Sequence, residues 1–206
     1  MKPKEHTSLS KTKKWNKGGL RLSTRSYICK ENPDGTYTGI YCHSDGYLTY
    51  NGAMLLDHYN SRERVEKLIS LGNLSCLNEN IEPDPTKPHS FDFNERQENV
   101  CVFYGRDRGE TGQEPHPVTL EEINSPESWI EYCYIFGQDN QWKFFECGRM
   151  DRGIRSLQEG LDMEYESLGF PRPENYYGFF SPASAEHYRL LHQQGLKKAA
   201  GNEEMV

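Results

Sequence analysis

No apolar run in this chain of 206 residues is longer than a few residues, far short of what a membrane-spanning helix needs. The lysine-rich N-terminus also lacks the apolar core of a secretory signal. A soluble, intracellular protein is the expectation. There is no Cys-x-x-Cys pair: Cys29, Cys42, Cys76, Cys101, Cys133 and Cys147 are widely spaced, mostly among Tyr, Ile, Val and Phe. Structural zinc uses close ligand pairs, so the expected state is reduced core thiols with no metal and no disulfide framework. Also missing are a His-Glu-x-x-His metal motif, the Lys-Ser/Thr of a phosphate-binding loop and a full Gly-x-Gly-x-x-Gly fingerprint. The sequence thus carries no strong catalytic signature and implies no cofactor.

What is present is enough for one ordinary domain, since 34% of residues are hydrophobic and 12% aromatic. Charge is divided unevenly. Of the 24 basic and 31 acidic residues, eight and one respectively fall within 1–25, which leaves 16 and 30 for the rest. A basic leader therefore precedes an acidic body. Such a body disfavours direct nucleic-acid binding, which needs clustered Lys and Arg, except through the leader. It permits the opposite, a surface that competes with nucleic acid for a basic partner.

Three readings of residues 1–21 stay open: an arm that grips nucleic acid or an acidic surface, a solvated tail, or untranslated sequence. The third rests on Lys17-Gly18-Gly19, which an in-frame ribosome-binding site would encode, with Leu22 placed where a TTG start codon could lie. The expected division is this leader, an α+β core over 22–150, and a C-terminal helical part of the same domain over 151–206.

Within the core, Ser26–Lys30 and Thr36–His43 are strand-like and flank Asn32-Pro33-Asp34-Gly35, a type I turn sequence, which predicts a β-hairpin. A short helix follows around Met54–Tyr59. Asn60 and Glu63 read as a capping box for a second helix with the apolar stripe Val65, Leu68, Ile69 and Leu71, stopped by Gly72. Residues 78–99, with Pro83, Pro85 and Pro88, read as a long loop and the one candidate domain seam. Val100–Tyr104 reads as a buried central strand, and Thr119–Glu122 as another capping box. Strands near 129–136 and 141–147 predict a second hairpin. Asp151 is the expected N-cap of a helix carrying Ile154, Leu157, Leu161, Tyr165 and Leu168, and Ser181-Pro182 starts another. The sum is an α+β domain: an antiparallel sheet of two hairpins and a central strand, helices on one face, and C-terminal helices.

His43, Asp45 and His58 form the densest group of chemically capable side chains, in the stretch 41–60. If they converge they could act as acid and base or hold an ion. Against this, Asp45-Gly46 is ordinary turn chemistry, and a single His on a half-buried helix commonly satisfies a carbonyl. Arg106 and Arg108, between glycines, could clamp a phosphate or carboxylate, or form internal ion pairs in a solvated loop. Trp129 and the hairpin aromatics Tyr132, Tyr134, Trp142 and Phe144 offer a recognition face or ordinary core, as does Tyr47. Tyr176, Tyr177 and Phe179, in a Pro- and Gly-bounded run, are costly to expose without a partner.

The stretch 23–60 resembles the opening of a family of small uncharacterised proteins carried by phages and integrative elements of Firmicutes. The resemblance lies in Ser23-Thr24-Arg25-Ser26, in Tyr41-Cys42-His43 with Asp45-Gly46-Tyr47, and in Leu55-Leu56 with His58-Tyr59. The second hairpin extends it to about residues 22–147, whereas the C-terminal part has no counterpart. Leu22 stands where the family has its initiator Met, and Leu48 where Pro follows Gly-Tyr. The resemblance implies a mobile-element origin and the cytoplasm of a bacterial host, with no known activity. By analogy with anti-CRISPR and anti-restriction proteins, the expected function is inhibition of a host defence or nucleic-acid-handling complex, with a basic nucleic-acid-binding or nuclease component as partner. The rival is a small hydrolase or nucleotide-modifying enzyme centred on His43, Asp45 and His58. A third reading is a nucleic-acid-binding accessory protein that uses the leader.

Overall fold

The computed structural model describes residues 23–168. Strands β1 (Ser26–Glu31) and β2 (Tyr37–Cys42) form the first hairpin, in full antiparallel register from Ser26–Cys42 to Glu31–Tyr37. Its turn closes because Gly35 adopts φ +82°, which glycine tolerates, while Asp34 Oδ1 accepts from both the backbone and hydroxyl of Thr36. The second hairpin is β6 (Tyr132–Phe136) and β7 (Trp142–Glu146), turned by Gly137–Asn140. Between the hairpins lie α1 (Ala53–His58), entered through a π-helical turn at Leu48–Gly52, then α2 (Arg62–Ser70) and β3 (Leu74–Cys76). They are followed by β4 (Val102–Phe103), α3 (Tyr104–Arg108), β5 (His116–Val118) and α4 (Leu120–Asn124). The described part ends with β8 (Arg155–Ser156) and α5 (Leu157–Leu168).

The fold is α+β, and its sheet is mixed rather than antiparallel. Strand order is β4-β3-β2-β1-β6-β7-β8, with β5 also paired to β2. The two hairpins join through a parallel β1–β6 pair, and β2 meets β3 in parallel. Parallel pairing needs a long crossover, and the helices and loops between residues 43 and 131 supply it. The strand expected at the centre, around 100–104, shrinks to β4 at the sheet edge.

Burial on both faces explains why the strands do not alternate cleanly in the sequence. Ile28, Ile40, Tyr134, Phe136 and Phe144 face a core closed by Leu55, Leu68 and Leu161 of α1, α2 and α5. Tyr27, Cys29, Cys133, Ile135 and Phe145 face the other way and meet Ile123 of α4. Helices therefore lie on both faces, not on one. All six cysteines are free thiols, four of them buried.

Two helix starts also move. Ser61, not Asn60, caps α2, its Oγ accepting from the Arg64 N–H. The C-terminal helix begins at Leu157, not after Asp151. The edge of β7 captures Arg155 and Ser156 as β8, leaving Ile154 exposed. Residues 78–99 are packed down rather than forming a seam: Ile81 enters the main core. Ser181-Pro182, with Tyr176, Tyr177 and Phe179, lies outside the described residues. Among the described residues no helix is long and apolar enough to cross a membrane.

Candidate functional site

Cross-strand register sets two tyrosines side by side. Tyr27 of β1 lies opposite Tyr41 of β2, so both rings leave the same face of the sheet. Each phenol meets a histidine. The Tyr27 hydroxyl is 2.8 Å from Nε2 of His116 in β5, and the Tyr41 hydroxyl is 2.8 Å from Nδ1 of His43, just beyond β2. Burial raises the pKa of both tyrosines, so both stay protonated near neutrality. The His43 pKa is lowered, first by burial and then by the neighbouring Arg25 cation, which also lies beside the Tyr41 hydroxyl.

Helix α4 forms the wall opposite these rings. Thr119 accepts from the Glu122 N–H while Glu122 Oε2 accepts from the Thr119 N–H and hydroxyl, the reciprocal capping box expected from the sequence. Those bonds hold the Glu122 carboxyl below the usual carboxylate range. The chain then makes a tight turn over Pro126–Ser128, where the Ser128 hydroxyl bonds the carbonyls of Ile123 and Ser125 and accepts from the Ile130 N–H. Locked on both sides, Trp129 takes the left-handed conformation, φ +57°, and stands 72% exposed. A bulky residue pays for that backbone, and an exposed indole gains little burial in return.

These elements outline a groove. At one end a cleft of about 500 Å³ is lined by Arg25, Tyr41, Ser128 and Trp129. At the other a cleft of about 380 Å³ lies among Tyr27, Tyr41, His116, Glu122 and Ile123. Tyr41 and Ser128 line both clefts, so the two adjoin. The groove's outer wall belongs to an acidic stretch: residues 109–142 contain seven Asp or Glu and no Lys or Arg.

The residues singled out in the sequence are distributed differently. His43 and Trp129 come together around Tyr41. Asp45 does not join them: it sits at φ +55° with Tyr47 as hydroxyl donor at 3.4 Å, and burial raises its pKa. His58 ends α1 on another element. Among the described residues no group of three His, Cys, Asp or Glu is placed to hold a metal ion. Trp142 and Phe144 are core, and Tyr134 is buried with its hydroxyl donating to the Gly46 carbonyl at 2.7 Å, so the second hairpin carries no open aromatic face there.

Arg106 is not an anion clamp. Its guanidinium donates to the carbonyls of Ile81 and Cys101, each at 2.6 Å, and to both oxygens of Asp107, at 2.6 and 2.9 Å, while stacking over Phe103. Asp107 in turn accepts from the Phe103 N–H and faces the buried His89. The cluster staples residues 78–99 to β4. Arg108 pairs with Glu110 at 3.0 Å and covers Phe91.

No family model, curated protein or solved structure matches this chain. Within the groove, sequence reading missed Arg25, Tyr27, Tyr41, His116 and Glu122 as a set. Ser125-Pro126 carried a usable signal, since Pro at the first position of a capped turn fixes the chain that presents Trp129.

Proposed function

We propose that this chain is a binding protein that occludes a basic surface of a nucleic-acid-handling partner in the cytoplasm of a bacterial host, as an inhibitor of a defence complex would. The observation that carries the reading is Trp129, held outward in a left-handed backbone at the mouth of an aromatic groove. Tryptophans on rigid, strained turns serve as binding anchors more readily than as packing. The acidic body supports a basic partner, because like charge repels nucleic acid and complementary charge speeds encounter with its competitors.

The test is capture from host lysate with the full chain at low and high salt, followed by reconstitution with the purified partner. A stoichiometric basic protein, released by salt and displaced from its nucleic acid by this chain, is the expected result. If the captured protein keeps its nucleic acid at saturating inhibitor, or if nothing is captured, occlusion is wrong.

A further inference from the structure

The groove is chemically polarised. Tyr41 presents aromatic surface along its floor with the hydroxyl edge of the largely buried Tyr27 beside it, Glu122 stands at one end, and Arg25, the single Lys or Arg lining either cleft, stands at the other beside Trp129. Both bonds that hold Glu122 in its capping box fall on Oε2. A carboxylate has about four acceptor sites, so Oε1 keeps its capacity for a further donor. The bonds to Thr119 also fix the orientation of that carboxylate, so a ligand meeting it loses little side-chain entropy.

A cation is the chemistry that suits this end. Tyrosine faces attract ammonium and guanidinium groups, and a fixed carboxylate beside them adds a charge-assisted bond. Glu122 is the Asp or Glu that lines this cleft, and no Lys or Arg lines it. An anionic ligand, nucleic acid included, would face this wall at a cost. Pro117 and Ile123 supply apolar contact for the methylene stem that carries the charge.

We propose that this groove seats an arginine or lysine side chain of an extended partner segment, its charge over Tyr41 and against Glu122, while Trp129 covers the neighbouring residue. Arg25 then meets a main-chain carbonyl of the same segment, which fixes its direction. The inference rests on the proposed binding function and assigns its anchor: the partner contributes a cation on an extended strand.

Fluorescence anisotropy on the full chain tests this with three labelled probes: a short peptide alternating arginine with serine, its glutamate counterpart, and a single-stranded oligonucleotide. The basic peptide alone is expected to bind. Glu122→Gln preserves the capping box, because glutamine serves at that position, and removes only the charge. That variant and Trp129→Ala should each weaken the basic peptide at least about tenfold, in the range of interface anchors. Equal affinity for both variants and the parent would overturn the groove, since it would show diffuse attraction to an acidic surface. Binding of the oligonucleotide or of the glutamate peptide at the groove, or of no probe, would overturn it as well. Partner capture that survives both variants would reject this anchor and leave the occlusion reading standing. Groove binding of the basic peptide without any captured partner would do the reverse.

Discussion

The Tyr41 hydroxyl and His43 Nδ1 lie 2.8 Å apart at positions two residues apart in the chain. This contact makes His43 part of the groove's frame and leaves its imidazole half-buried next to Arg25. Replacing His43 with Ala should cost about 1 kcal/mol, the usual net value of one hydrogen bond. Because the folded-state pKa is lowered, the folded protein binds fewer protons than the unfolded chain as pH falls below about 6.5. The His43 contribution is therefore present above that pH and lost as pH drops through the folded value. Melting temperature against pH, compared between the parent and His43→Ala, should converge toward the acid side. Parallel curves would show that His43 does not titrate as its surroundings dictate.

Arg106, turned inward, should be costly to remove. Arg106→Ala leaves the buried Asp107 carboxylate and the Ile81 and Cys101 carbonyls short of a partner. Breaking such a pair costs about 3–5 kcal/mol. Denaturant unfolding reads the loss, and hydrogen exchange should show residues 78–99 opening first. Near-parent stability would mean that the cluster does not hold the loop.

Trp129→Gly and Trp129→Ala separate function from strain. Both remove the exposed ring, but only glycine relieves the left-handed backbone, a conformation costing other residues about 1–2 kcal/mol. The glycine variant should be at least as stable as the alanine variant in chemical denaturation, while both lose partner binding. A clearly less stable glycine variant would show that the turn carries no strain.

Gly160 lies within α5, where alanine would ordinarily help by about 1 kcal/mol. A β-carbon there would overlap the ring edge of the fully buried Phe144. Overpacking a closed core costs about 1–3 kcal/mol, so Gly160→Ala should destabilise despite its higher helix propensity. Thermal melting decides it, and a gain in stability would show that α5 packs less closely on β7.

Burial pushes the Cys42 and Cys147 thiols up to about 12, so neither forms much thiolate at neutral pH. Alkylation under native conditions should leave Cys29, Cys42, Cys101 and Cys133 unmodified for as long as the protein stays folded, because all four are inaccessible. All six should react on unfolding. Peptide mass mapping distinguishes the sites, and rapid native labelling of any of the four would show that the core opens.

Local chemistry was legible in the sequence because its causes are local. The Asn32–Thr36 turn, the Thr119–Glu122 capping box, the stripe Val65, Leu68 and Ile69 with its stop at Gly72, and the acidic body all depend on residues close together in the chain. Tertiary structure alone decided the parallel β1–β6 pair, since strand periodicity reads the same for either direction and both faces are covered. It also decided the site. Tyr27 and His116 are 89 residues apart, and only the pairing of β5 with β2 brings them into contact. The same long-range packing turned Arg106 inward as a structural staple and left Trp129 outside, a choice between burial and exposure that composition and spacing do not encode.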